Sequence, residues 1–150
     1  MLPVNQPMGI DQCNCFAVRK AARQISRMYD GHLQPTGLRN TQFLILAALE
    51  ELGSAAVNEL AERLDVERTA MGKMLALLER DGFADIRRSR TDARSHIVKL
   101  TRQGRELYER AAPLWREAQA EFSRLNGTRN VGVLRRSLAD MKVDDGTAPS

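Results

Sequence analysis

The sequence predicts a mainly α fold with a small β-wing, in which a winged helix-turn-helix unit is flanked by N- and C-terminal dimerisation helices. Three observations carry that prediction. Two segments of helical apolar period meet at the short turn Asp65-Val66. A block of arginines follows, held between the β-like runs Phe83-Ala84-Asp85-Ile86 and Ile97-Val98-Lys99-Leu100. Amphipathic patterns longer than a small winged unit needs then bracket this centre on both sides.

Residues 1–10 hold prolines and a glycine without periodicity and read as a loose arm. From residue 11 to 33, Cys15, Val18, Ala22, Ile25 and Tyr29 recur at three- and four-residue spacing, one face of a helix that Gln34-Pro35-Thr36-Gly37 ends. A second helix over 41–52 is apolar through Phe43-Leu44-Ile45-Leu46-Ala47-Ala48-Leu49 and is expected to be buried on most sides, with Gly53 as its stop. Ser54 is the expected cap of a third helix with Val57, Leu60, Ala61 and Leu64 in one stripe. In the fourth, over 67–80, Met71, Leu75 and Leu78 face inward while Thr69, Gly72, Lys73 and Ala76 fall opposite. That outer face is small and polar, as entry to a major groove requires, and Gly72 costs about 1 kcal/mol of helix stability relative to Ala unless something must come close there. Gly82 leads into a hairpin with its tip at Asp92-Ala93-Arg94-Ser95. Thr101 caps a long helix over 102–125 with a stripe of Leu107, Ala111, Leu114, Ala118, Phe122 and Leu125, and Pro113 is expected to bend it. After Asn126-Gly127, a last helix over 131–141 turns Val131, Leu134, Leu138 and Met141 inward, and residues 144–150 form a polar tail.

One domain is expected, with residues 41–100 as the DNA-binding unit and 11–33 and 102–142 as dimerisation helices. The alternative for those helices is packing within a monomer. A net charge of +4 favours a polyanionic partner, and its location decides which. Arg87, Arg88, Arg90 and Arg94 outnumber Asp85 and Asp92 across the hairpin, which suits a phosphate backbone or a minor groove. The bland reading is a solvated basic loop; a second alternative is a winged-helix protein-interaction module without DNA. Double-stranded DNA and a second copy of the chain are the expected partners. The chain has no glycine-rich phosphate loop, no Gly-x-Ser-x-Gly elbow and no catalytic pair of carboxylates, so neither an enzyme nor a cofactor is expected. No run approaches eighteen apolar residues and the first residues lack the pattern of a leader, so the expected place is the cytoplasm, with no membrane partner.

Two cysteines, Cys13 and Cys15, make no disulfide framework. In a helix they point to nearly opposite faces, with Cys15 on the apolar stripe, so a bond between them is disfavoured while a sulfenic acid or an intersubunit disulfide at Cys15 stays open. A small buried hydrophobe is the alternative. Cys13, Cys15, His32 and His96 are the soft ligands available, and their spacing does not predict a metal site.

The segments Leu60-Ala61-Glu62-Arg63-Leu64, Arg68-Thr69-Ala70-Met71, Leu78-Glu79-Arg80-Asp81-Gly82-Phe83, Asp92-Ala93-Arg94-Ser95 and Leu100-Thr101-Arg102-Gln103-Gly104, in this order, resemble the MarR family of transcriptional regulators over about residues 11–142. The resemblance implies a cytoplasmic homodimer that binds a pseudo-palindromic operator, usually as a repressor, and releases it when a small ligand or an oxidant reaches the region between arms and winged units. By position it implies recognition-helix contacts from Arg68, Thr69 and Lys73, and a minor-groove contact from Arg94 oriented by a salt bridge to Asp92, with Ser95 beside it. Arg87, Arg88 and Arg90 are expected to neutralise backbone phosphates. Lys73 stands where many members have arginine, and Ala70 where many have a second hydroxyl residue. The N-terminal segment is similar to the organic-peroxide-sensing branch, whose reactive cysteine lies where Cys15 does and whose thiolate is bonded by a tyrosine matching Tyr29. Arg19 and Asn40 replace further tyrosines of that branch; Arg19, one helical turn from Cys15, offers another means of lowering its thiol pKa. A small aromatic ligand near Tyr29, His32, Phe43 and Trp115 is a further implication of the resemblance, with core packing as the alternative.

Overall fold

A 3-10 turn over Ile10–Gln12 precedes the first helix, α1 (Asn14–Leu33), which therefore starts later than the expected Asp11. The structure, a computed structural model, describes residues 9–144, so most of the expected arm and tail lies outside the described residues. Cys13 is the N-cap of α1, in extended conformation, and its Sγ accepts the Phe16 N–H at 3.4 Å; it stands outside the helix rather than on its far face. Among the described residues, the apolar stripe of α1 is covered at one end alone. Tyr29 and Leu33 are buried, while residues 11–24, Cys15, Val18 and Ala22 among them, are exposed.

Helix α2 (Asn40–Leu52) buries Phe43, Ile45, Leu46, Ala48 and Leu49. Its first N–H, on Asn40, donates to Asp30 Oδ1 of α1 at 2.7 Å, which ties the two helices together at their junction. After Gly53 the structure differs from the sequence expectation. Ser54 is not the cap of the next helix: Ala55–Ala56 form a strand, β1, and Ala56 is the N-cap of α3 (Val57–Arg63). The Glu59 carboxylate accepts the Ala56 N–H at 3.3 Å and takes the capping part. A strand of two alanines is too short to show a period, which is why the pattern concealed it. Asp65, at φ 51, makes the left-handed turn between α3 and α4 (Arg68–Arg80), and Met71, Leu75 and Leu78 of α4 are buried as their spacing predicts.

Strands β2 (Ala84–Arg88) and β3 (His96–Leu100) form the wing, antiparallel from Ala84 opposite Leu100 to Arg88 opposite His96. β1 joins the other edge of β3, with Ala55 opposite Val98, giving the order β1-β3-β2. Thr101 links the sheet to α5 (Arg102–Asn126): its Oγ1 donates to the Gly82 carbonyl at 2.6 Å and accepts the Gly104 N–H at 3.0 Å. α5 continues through Pro113 as one helix. Helix α6 (Thr128–Ala139) begins earlier than Val131, and of the four residues expected inward Val131 alone is buried; Leu134, Leu138 and Met141 are 41%, 47% and 52% exposed. Among the described residues nothing covers their stripe more than partly.

The core gathers Leu46, Leu49, Leu60, Met71, Val98 and Leu107, side chains from α2, α3, α4, β3 and α5 that are fully out of solvent. Each such side chain stabilises the fold by roughly 1.5–3 kcal/mol. It locks the sheet and the α3–α4 pair to α5, and so fixes the wing beside α4. Among the described residues no helix is long and apolar enough to cross a membrane.

Candidate nucleic-acid interface

The inward set Met71, Leu75 and Leu78 dictates what α4 shows to solvent, because residues a half-turn away must point out. Arg68, Thr69, Gly72, Lys73 and Ala76 are all exposed. An added Cβ at Gly72 would meet nothing within 4 Å, so no packing within this chain calls for a glycine there.

Between α4 and the wing lies a cleft of about 350 Å³, on whose walls Arg68, Thr69 and Gly72 of α4 face Arg94, Ser95 and His96 of the wing. Val57 and Asn58 of α3, with Leu75 and Ile86, close it. Its charged side chains are arginines, and no carboxylate is among the residues that line it. A surface of this kind attracts an anion and leaves guanidinium donors free to be satisfied by it.

The tip of the wing is ordered by its own short hydrogen bonds. Ser89 N–H donates to the Ser95 carbonyl at 2.8 Å, and Ser89 Oγ accepts from the Thr91 and Asp92 amides at 3.3 Å each. Asp92 Oδ1 accepts the backbone N–H of Arg94 at 3.0 Å. This corrects the expectation of a salt bridge: the carboxylate shapes the turn that aims Arg94 and leaves the guanidinium uncommitted, since an Asx-type bond to the main chain two residues on is within easy reach. Arg87, Arg88 and Arg90 line a second hollow with Asp85 and Lys99, outside the cleft. Arg87 Nε pairs with Asp85 Oδ2 at 2.9 Å, two residues apart on one face of β2. Lys73 is exposed on α4 but is not part of the cleft wall.

The sequence reading passed over Asn58 and His96 as members of this surface. The register Arg88 opposite His96 is what brings the start of β3 level with the wing tip, and a ladder register is set by the turn, which composition does not reveal. From sequence, His96 is legible as a soft metal ligand alone. Cys15 and His32 are about 25 Å apart along α1 by helical rise, and His96 is in the wing. Among the described residues no group of three His, Cys, Asp or Glu side chains gathers into a metal-sized cluster.

The residues read as a ligand pocket divide into two groups. Phe43 is 2% exposed and stacks on Trp115 and Tyr108 of α5, with centroids 5.6 and 5.8 Å away. Tyr29 and His32 lie instead against the outer half of α5. The Tyr29 hydroxyl donates to Gln119 Oε1, and His32 Nε2 contacts Glu121 Oε2 with Glu117 Oε2 4.0 Å from Nδ1. Burial pushes the Tyr29 phenol above its ordinary value, opposed by the nearby Arg135 of α6. Cys13 and Cys15 are both free thiols and exposed, which removes the reading of Cys15 as a buried hydrophobe within this chain; Arg19 is exposed on the same helix.

An α3–α4 pair with an open recognition face, beside a basic hairpin and between long flanking helices, defines a winged helix-turn-helix regulator. Residues 36–95 match the profile of the MarR family. The chain is 39% identical to the Mycobacterium tuberculosis transcriptional regulator MosR, solved in complex with DNA, over 86% of this chain and 92% of that one, with a TM-score of 0.78. It is 28% identical to the transcriptional repressor CouR, solved bound to a 23-mer DNA duplex, over 90% of this chain and 96% of that one, with a TM-score of 0.80. Among curated relatives, the regulator TtmR of Methylorubrum extorquens is 33% identical over 69% of this chain, which spans about half (53%) of TtmR. The chain belongs to the MarR family of transcriptional regulators, and it is a regulator rather than an enzyme.

Proposed function

We propose that the protein is a cytoplasmic homodimer that binds a pseudo-palindromic operator in double-stranded DNA and represses transcription there. The observation that carries this reading is the cleft in which Arg68, Thr69 and Gly72 face Arg94 and Ser95 without a carboxylate in its lining. Arg68, Thr69 and Lys73 enter the major groove, Arg94 the minor groove, and Arg87, Arg88 and Arg90 neutralise phosphates. The DNA complexes solved for MosR and CouR support the same use of this surface, and CouR is a repressor.

Residues 41–100 form the DNA-binding unit, and 11–33 with 102–142 form the arms. Dimerisation is supported by the apolar side chains the arms leave uncovered, Phe16 and Val18 on α1, Leu125 on α5, and Leu134 and Leu138 on α6. A two-fold axis through the arms sets two α4 helices about 34 Å apart, one turn of B-DNA.

Release follows oxidation of a cysteine or capture of a small aromatic molecule in the arms. The exposed Cys15 is the first candidate: its thiolate takes an oxygen from a peroxide as the O–O bond breaks, leaving a sulfenic acid and an alcohol or water. The test is fluorescence anisotropy of reduced protein with DNA from its own promoter and with a scrambled duplex, repeated after mild peroxide. Preference for the promoter duplex, lost on oxidation and restored by thiol, is the expected result. Preference that survives peroxide excludes the redox arm and leaves the ligand arm. Absence of any DNA affinity in a folded dimer overturns the reading in favour of a protein-interaction module.

A further inference from the structure

The proposed DNA contacts leave out one side chain that stands in the cleft itself. His96 opens β3, is exposed, and lines the wall with Arg94 and Ser95 opposite Arg68 and Thr69. Its ladder partner on β2 is Arg88, and residues directly opposite in an antiparallel pair share a face. The charged residues that share the cleft lining with the imidazole are Arg68 from α4 and Arg94 from the wing tip, with neutral Asn58 from α3; Arg88, opposite His96 in the ladder, lines the neighbouring hollow. No carboxylate lines the cleft to balance a third positive charge.

We infer that His96 is a proton-coupled phosphate contact, which with Asn58 grips the DNA backbone between the α4 contacts and Arg94. The inference rests on the proposed DNA binding by this cleft. A DNA phosphate in the cleft favours the protonated imidazole, because its charge offsets the imidazolium and its oxygen accepts the N–H. The complex then holds more protons than the free protein, so affinity rises as pH falls through the histidine range. The sign is opposite to that of a contact made by a neutral imidazole, which is lost on acidification. Asn58, uncharged, adds a hydrogen bond that pH does not move.

The experiment is operator affinity from pH 5.5 to 8 at fixed ionic strength, for the full chain and for His96→Gln, His32→Gln and Asn58→Ala. The chain has two histidines, so His32→Gln is the complete control for imidazole titration. Affinity of the unaltered protein is expected to be about tenfold higher at pH 6 than at pH 8, a rise His96→Gln abolishes and His32→Gln keeps. At pH 6 the His96→Gln variant also loses roughly one unit of the slope of log affinity against log salt per wing, as one phosphate contact fewer requires. Asn58→Ala weakens binding equally at every pH. A pH profile that His96→Gln retains, or an unaltered protein with no rise, overturns the inference while operator binding itself stands. Loss of all DNA binding by the unaltered protein would instead strike the reading on which it rests.

Discussion

Replacing Gly72 by alanine separates stability from function, because the two effects have opposite signs. Alanine is favoured over glycine inside a helix by about 0.8–1.0 kcal/mol. Gly72 lies within α4, and its new Cβ would meet no atom within 4 Å, so nothing in the folded chain opposes that gain. For a chain of this length the melting temperature is expected to rise by about 2–4 °C. The same methyl projects from the cleft wall beside Thr69, where the proposed DNA binding would bring base edges against the backbone of α4. Operator affinity is therefore expected to fall about tenfold, close to 1.4 kcal/mol. Thermal melting followed by circular dichroism and anisotropy titration on one preparation measure both. A higher melting temperature with unchanged affinity would refute the argument that DNA comes close at Gly72; a lower melting temperature would refute the argument that its glycine is unneeded by the fold.

Gly104 gives the reverse result: an added Cβ would stand 1.9 Å from the Phe83 carbonyl oxygen, so Gly104→Ala is expected to cost about 3 kcal/mol and lower the melting temperature by roughly 6–12 °C. Arg94→Ala leaves folding intact and weakens operator binding ten- to hundredfold or so, whereas Lys73→Ala weakens it less; titration with equal loss in both would deny Arg94 its place at the tip. Cys15→Ser abolishes the oxidant response in the DNA-binding assay and Cys13→Ser leaves a residual one, while equal loss would indicate that both sulfurs take part in one bond. Tyr29, its phenol raised by burial, contributes stability that is complete below the unfolded value near 10 and is lost as pH rises through the folded one; a melting profile above pH 10 should fall more steeply for the unaltered protein than for Tyr29→Phe.

Period carried most of the fold in the sequence. Met71, Leu75 and Leu78 gave the face of α4, and the arginine-rich stretch between two β-like runs gave the wing, because both signals extend over several residues. β1 escaped because two alanines have no period, and the Ser54 cap was displaced by a carboxylate further along. The stripes of α1 and α6 are legible as faces that require burial, but a stripe does not say whether its cover comes from its own chain, and among the described residues Val18, Leu134 and Leu138 stay half exposed. At the site, Thr69 and Arg94 are legible from type and place and Arg68 from the family resemblance, whereas His96 and Asn58 join them only through the strand register and the seating of α3, which are tertiary facts.

The junction at Thr101 leaves no slack between sheet and arm. β3 ends at Leu100, α5 starts at Arg102, and the single residue between them is bonded to Gly82 on one side and Gly104 on the other. The wing and the arm therefore behave as two ends of one lever, with its fulcrum where Gly104 bears on the Phe83 carbonyl. A helix of 25 residues is about 38 Å long, so a tilt of roughly 5° displaces one end by about 3 Å relative to the other. Such a displacement exceeds the tolerance of a hydrogen bond to a base or a phosphate. If the wing grips DNA as proposed, a reorientation of the outer half of α5, where Gln119 and Glu121 are held by Tyr29 and His32, would be passed along this helix to the wing.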